Sequence, residues 1–369
     1  MGSSSRASAS RMRTEEIRRF IISNVREHPR DIARLTAEHF DITRQSVNQH
    51  LQRMVEDETL AAEGHTRGHT YRLAPAVQWT KSYLLDDSLF EDTVWREDIQ
   101  PLLDALPENA AHIWIYGFTG IFNNAIDHSE GRRIQVVVHK DAAFTEMAVI
   151  DDGKGIFSKI QPQLNLPDER HAVLELAKGK LTTDPANHTG EDIYFISRLF
   201  DDFNIFSHGV SYSNDLEDME AWLLEKVCSA KGTAVWMRLD NHTSRTLTGM
   251  LDRFTSRKEF GFNKTVIPVR LVENGSNPVS RARAKRVLAR AEQFKKVVLD
   301  FKEVANIGPT FADEIFRVFA KQYPDIEIIH VNANPSVSRM IERAVLHKGR
   351  PARLVDAPPP EERPEDPDA

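Results

Sequence analysis

Cysteine is nearly absent: the 369 residues contain one, Cys228. A lone cysteine excludes an internal disulfide framework and the usual multi-cysteine zinc sites. Long apolar runs are missing too, since no stretch approaches the ~20 residues that cross a bilayer. The first ten residues, MGSSSRASAS, lack the apolar centre of a signal peptide. There is no surplus of positive charge: 48 Lys and Arg stand against 55 Asp and Glu, a net of -7. That balance argues against a wholly basic nucleic-acid binder and leaves room for a local basic patch. What is there is globular, 40% hydrophobic and 28% charged, on a chain long enough for two or three cores. The expectation is a soluble, cytoplasmic, multidomain α+β protein without a membrane partner.

Residues 1–13 are small and polar and read as disordered, whereas 14–75 read as one compact unit. Ile17, Phe20, Ile21 and Val25 recur at helical spacing, a second short helix carries Ile32, Leu35 and Phe40, and Thr43 is a natural N-cap for TRQSVNQHLQRMVED. Two short extended runs around a Gly-containing turn follow. Three helices and a hairpin make a winged helix-turn-helix. On its third helix Arg44, Gln45, Asn48, Gln49 and Arg53 face outward, and the hairpin adds His65, Arg67, His69 and Arg72. Such side chains reach base edges and phosphates from the major groove, so DNA is the expected partner. The electrostatic footprint is weak, twelve arginines against ten acids up to Pro75. A protein-interaction unit with a solvated polar face is the alternative.

Residues 76–107, aromatic and acidic, read as a helical linker, and 241–261 as a connector. From 262 to 350 strands and helices alternate (TVIPVRLVE, SRARAKRVLARAEQF, KVVLDF, TFADEIFRVFAKQ, DIEIIHV, VSRMIERAVL), the pattern of a small α/β layer. The basic helix from Arg281 to Lys296 has an apolar face of Ala284, Val287, Leu288, Ala291 and Phe294, so its charge reads as a solvated face. Residues 351–369 hold six of the 18 prolines and six acids against two arginines, and read as a disordered tail.

Between 108 and 240 the chemistry concentrates. The stretch FTGIFNNAIDHS is a helix with unusual polar content, and it is followed by the strand RRIQVVVHK. A second strand then runs into Asp151-Asp152-Gly153-Lys154-Gly155. An irregular segment from Ser158 to His188 precedes HTGEDIYFISRLFD, and GTAVWMRLD closes with a strand. Helices over an antiparallel sheet make a two-layer α/β sandwich. Asn124 offers an amide oxygen of the kind Mg²⁺ takes beside phosphates. Asp151 at a strand end can accept from an amino group, and Gly153 and Gly155 allow close backbone approach. Thr189-Gly190 before a helix offers free N–H groups to an anion.

NAIDH, DDGKG, HTGEDI and KGTAV, in this order, resemble the N-box and glycine boxes of the gyrase, chaperone, histidine-kinase and MutL (GHKL) ATPase superfamily. The resemblance implies ATP and Mg²⁺ as ligands. Asn124 would hold the metal, Asp151 the adenine amino group, and Gly153 and Gly155 the nucleotide wall. Ser158 to His188 would be a mobile lid with Lys180 on a phosphate, Thr189 and Gly190 a phosphate cradle, and Thr233 a support for the adenine end. Asp127 and His128 would cap or contact the lid. Two departures stand out. The general-base glutamate of the hydrolysing members falls at Gly120, and loss of a positioned base typically costs about 10²–10⁴-fold. The second glycine box reads Gly190-Glu191-Asp192, which puts a carboxylate where phosphates would lie. Glu191 and Asp127 are the carboxylates left to act as base.

The run VVLDFKEVANIGPTFADEIFRVF resembles STAS domains, the fold of anti-anti-sigma factors, over about 262–348. The resemblance implies a regulatory protein partner and a phosphoacceptor at Thr310, which a plain N-cap role would equally explain. Related ATPases dimerise, so a homodimer is implied as well. The leading expectation is a bacterial-type transcriptional or signalling regulator in which nucleotide binding, rather than hydrolysis, controls output. The alternatives are a serine/threonine kinase of the anti-sigma type acting on a STAS domain, and a degenerate scaffold that binds no nucleotide.

Overall fold

A computed structural model describes residues 2–64, 69–181, 190–213, 231–256, 259–272 and 279–346. The N-terminal unit is α1 (Gly2–Asn24), α2 (Ile32–Phe40), α3 (Arg44–Glu56) and an antiparallel pair, β1 (Leu60–Glu63) with β2 (Thr70–Leu73). Ile21, Val25, Ile32, Val47 and Leu51 are fully buried and close one core. Thr43 caps α3 as expected, its side chain accepting from the Ser46 amide at 3.2 Å. α1 corrects the disordered start, because it takes in residues 2–13. Between Ser3 and Glu27 the chain has no proline or glycine, so a helix anchored by Ile17 and Ile21 propagates backwards at little cost per residue.

The expected helical linker is corrected more sharply. Residues 77–84 form a strand, β3 (Val77–Leu84), that pairs antiparallel with β4 (Arg133–Lys140) along its whole length. Val77, Trp79 and Tyr83 alternate along it and pack against the central core, the period of a half-buried strand. Helices α4 (Glu91–Val94) and α5 (Gln100–Leu103), joined by a π turn, follow it. The Tyr83 hydroxyl and Lys81 both reach Asp98 in that segment, at 2.8 and 2.5 Å.

The central unit is a six-stranded, fully antiparallel sheet in the order β3-β4-β5-β8-β6-β7. The further strands are β5 (Phe144–Asp151), β6 (Asp202–Ser207), β7 (Val210–Ser213) and β8 (Thr233–Asp240). On one face lie α6 (Glu108–His128), α7 (Ile156–Gln163), α8 (Glu169–Lys178) and α9 (Asp192–Leu199), sharing a single core with the sheet. The mobile lid expected from Ser158 to His188 is, up to Leu181, two packed helices, and every residue of 172–178 is buried. Residues 182–189 lie outside the described residues. α10 (Leu247–Phe254) and the pair β9 (Thr255–Ser256) with β10 (Glu259–Phe262) make the connector.

The C-terminal unit is a three-stranded parallel sheet, β11 (Lys264–Pro268), β12 (Lys296–Asp300) and β13 (Glu327–Val331). Helices α11 (Arg281–Leu288), α12 (Pro309–Asp313), α13 (Ala320–Gln322) and α14 (Pro335–Leu346) connect and cover it. The expected strand–helix alternation is present, as parallel strands require. No helix among the described residues is long and apolar enough to cross a membrane.

Candidate functional site

α6 places Ile121, Asn124, Ala125 and His128 on one stripe, at the i, i+3, i+4, i+7 spacing of a helix face. All four line a cavity between α6 and the sheet. About 100 Å³ of it is open to water, several times the roughly 10–15 Å³ that one molecule needs, so it is more than a packing defect. Asp151 and Val149 from β5, and Thr233 and Val235 from β8, form its floor, and Gly155 and Gly190 complete the rim. Five of the residues named from sequence, Asn124, Asp151, Gly155, Gly190 and Thr233, therefore meet in one space although 109 positions separate the first from the last.

Asp151 is the best-positioned polar group here. It is buried at the end of β5, and its Oδ1 accepts from the Gly153 amide at 2.9 Å and the Thr233 amide at 3.1 Å. Burial pushes its carboxyl above the usual carboxylate range, and the two amides oppose that push. The Thr233 hydroxyl accepts in turn from the Ile156 amide at 2.9 Å, which ties β8 to the start of α7. Gly153 has to be glycine: a Cβ there would lie 2.0 Å from the Ser129 carbonyl oxygen. At Asn124 the amide nitrogen is buried and has no hydrogen-bond partner among the described residues. An orphaned polar atom on a cavity wall costs free energy unless a ligand or water meets it.

The other end of the cavity differs. Asp192 lines it from the first turn of α9, where a carboxylate already occupies the anion-favouring end of the helix. Glu191 beside it is pushed up by burial, Lys180 works against that, and Asp192 adds to it. Burial, then these two charges, push the Tyr116 phenol up to about 12. The expected phosphate contact, Lys180, is turned away: its Nζ donates to the Gln293 carbonyl at 3.2 Å and lies 5.0 Å from the Phe294 ring. Lys159, which lines the cavity, donates to the His128 carbonyl at 2.6 Å and pairs with Glu130 at 3.0 Å. Thr189 lies outside the described residues. Among the described residues no cluster of three or more His, Cys, Asp or Glu could hold a metal ion, so a cation here would depend on Asn124 and on the ligand's own oxygens. The base end of a nucleotide fits the residues present; the described residues of the phosphate end supply no uncommitted lysine.

Gly120 has a packing explanation that sequence reasoning missed. A Cβ at that position would stand 2.6 Å from Ile196 Cδ1 on α9, and one at Gly117 would stand 2.5 Å from the Phe200 ring. Two glycines a turn apart let α9 close onto α6. A glutamate at 120 would start against the end of the Ile196 side chain.

Elsewhere, Arg44, Gln45, Asn48, Gln49 and Arg53 are all exposed on the outer face of α3. Arg72 is exposed on β2 but pairs with Glu63 across the hairpin at 2.8 Å, and Arg67 lies outside the described residues. Thr310 is exposed, and its hydroxyl donates to the Val279 carbonyl at 2.7 Å. The N-cap position of α12 belongs to Gly308, so Thr310 does not serve as that cap.

Residues 283–338 match the family model of a STAS-like domain of unknown function (DUF4325), and the C-terminal unit accordingly contains a STAS-like domain. Comparison with curated proteins gives no match, and neither does comparison with solved structures.

Proposed function

We propose that this chain is an ATP-binding, DNA-binding regulator in which occupancy of the central cavity, rather than turnover, sets the output. One observation carries the nucleotide half: Asn124, Asp151, Gly155, Gly190 and Thr233 line the same cavity. In this reading Asp151, with Oδ1 fixed by two amides, presents its carboxylate to an amino group of adenine. Val149, Val235 and Ile121 supply apolar walls for the ring, and the Asn124 amide meets the metal–phosphate end. Bound Mg²⁺ would supply positive charge that the described lysines do not. Asp192 opposes tight phosphate binding, so ADP and adenosine are expected to bind no more weakly than ATP.

Binding without efficient turnover follows from Gly120. A glycine carries no proton acceptor at that turn of α6, and the end of the Ile196 side chain stands where its Cβ would be. The kinase reading has less support, because the Thr310 hydroxyl is engaged by Val279. For DNA, the supporting feature is the exposed row on α3 from Arg44 to Arg53, with a side-chain chemistry suited to base edges and phosphates. The STAS-like domain is the proposed protein-partner module.

Titration calorimetry of the full chain with Mg-ATP tests the nucleotide half. The expected result is saturable binding that falls at least about tenfold in Asp151→Asn, the loss of one charge-assisted hydrogen bond. Equal affinity in both proteins would remove Asp151, and with it this reading. A gel shift over a random duplex library tests the DNA half, which no retention at low salt would end.

A further inference from the structure

The residue two positions before Lys180 does what no exposed lysine does. Lys178 is fully buried, and its Nζ donates to Glu175 Oε1 at 2.7 Å, to the Arg286 carbonyl at 2.8 Å and to the Ala289 carbonyl at 2.8 Å. All three ammonium hydrogens are used. The two carbonyls belong to the C-terminal end of α11 in the STAS-like domain, where a helix carries partial negative charge. Arg290, beyond the same helix end, returns the contact by pairing with Glu175 at 3.3 Å and donating to the Lys180 carbonyl.

The sheet edge beside it is closed the same way. Among the described residues β11 pairs with no strand on its outer side, and that edge is met by groups of the central unit. The Tyr194 hydroxyl accepts from the Val266 amide at 3.0 Å, and Thr265 Oγ1 donates to the Lys178 carbonyl at 2.7 Å. Arg198 lies 3.4 Å above the Tyr194 ring and reaches the Val266 carbonyl. An open edge is normally protected by charge or by a further strand; here α8 and α9 cover it.

The same two helices wall the cavity. Leu176, Asp192 and Ile193 line it, while Leu174, Tyr194 and Phe195 sit in the core of the C-terminal unit. We propose that α8 and the first turns of α9 are a transmission between the cavity and the STAS-like domain, with Lys178 as its tie. This rests on the reading that the cavity takes a nucleotide. A buried ammonium cannot be half-released, because an unpaired charge there is costly. The ends of α8 and α11 therefore shift together or part completely, which is the behaviour of a two-state joint.

Hydrogen exchange on the full chain, with and without saturating Mg-ATP, tests the tie. In the wild type, ATP is expected to change exchange around Asn124 and Asp151 and also across 264–272 and 281–294, by about threefold or more. Lys178→Met and, as a milder variant that keeps the ring, Tyr194→Phe should still bind ATP and keep the change at the cavity while losing the remote one. A wild-type change confined to the cavity overturns the tie, as does a remote change that survives both variants. If the wild type binds no nucleotide, the function proposed above falls. The tie is then read from Ala125→Leu, which fills the cavity with a side chain. A remote exchange change that depends on Lys178 supports it, and silence at 281–294 ends it.

Discussion

The central sheet meets its two neighbours in opposite ways. The N-terminal unit touches it through the β4–β5 turn, with Ala143 entering the small core, Arg26 paired to Asp141 at 3.2 Å, and Arg26 set over the Phe144 ring. The C-terminal unit shares its core with the centre, because Leu174, Tyr194 and Phe195 belong to it, and a buried lysine is bonded across the joint. The first joint is small, one turn's worth of apolar residues and one ion pair, like interfaces that permit relative motion; the second resembles the interior of one domain. On the proposed function, a unit that would present α3 to DNA gains from freedom, and one that would report on a cavity gains from rigid contact.

The largest expected effect lies at the tight joint. Leu174→Ala removes a buried side chain from the shared core and should cost about 2–5 kcal/mol, with the central and C-terminal units unfolding in a single urea transition. Two separate transitions in the wild type would break the contrast. Next is Gly120→Glu, which overpacks the α6–α9 contact and should cost about 1–3 kcal/mol. Ile196→Ala is itself costly because the side chain is fully buried, but the double variant should lose less than the sum of the two single losses, because the atom that a Cβ would meet is gone. Additive losses would show that position 120 faces something else.

Asp151 supplies a pH test. Burial raises its folded pKa, so its contribution to stability is fully present below the unfolded value near ~3.9 and is lost as pH rises through the raised value. Relative to Asp151→Asn, the wild type should therefore lose stability as pH rises above about 4; parallel unfolding profiles would contradict the assignment. On α3, Asn48→Ala should leave the melting temperature unchanged and weaken DNA retention by about tenfold, the effect of losing one base contact. Smallest is Arg26→Ala at the first joint, expected at about 1 kcal/mol because the arginine is part-exposed and the buried Asp141 keeps its two amide partners. A loss as large as that of Leu174→Ala would erase the difference between the joints.

Much of the site was legible because its signals are local. Thr43 announces α3 by cap chemistry, and Asn124 stands out as a polar side chain in an otherwise apolar helix. Asp151 with its two glycines marks a strand end where backbone must come close. What escaped depends on distant partners. Lys178 sits in ELAKGK, which reads as a solvated helix end until carbonyls 108 and 111 positions away are brought to it. Lys180 was assigned to a phosphate by position, and the geometry gives it the Gln293 carbonyl. β3 hid its alternation because Gln78, Thr80, Lys81 and Ser82 dilute three partly buried residues on an edge strand. Gly120 was legible as an absence of glutamate, but its cause, Ile196, lies on another helix.

The central claim is that binding carries the signal. Its most direct measurement is the DNA affinity of the full chain with no nucleotide, with Mg-ATP, and with a non-hydrolysable ATP analogue. ATP and the analogue should shift affinity equally, and Asp151→Asn should abolish both shifts. An effect produced by ATP alone would assign the output to turnover, and equal affinity under all three conditions would separate the cavity from DNA altogether.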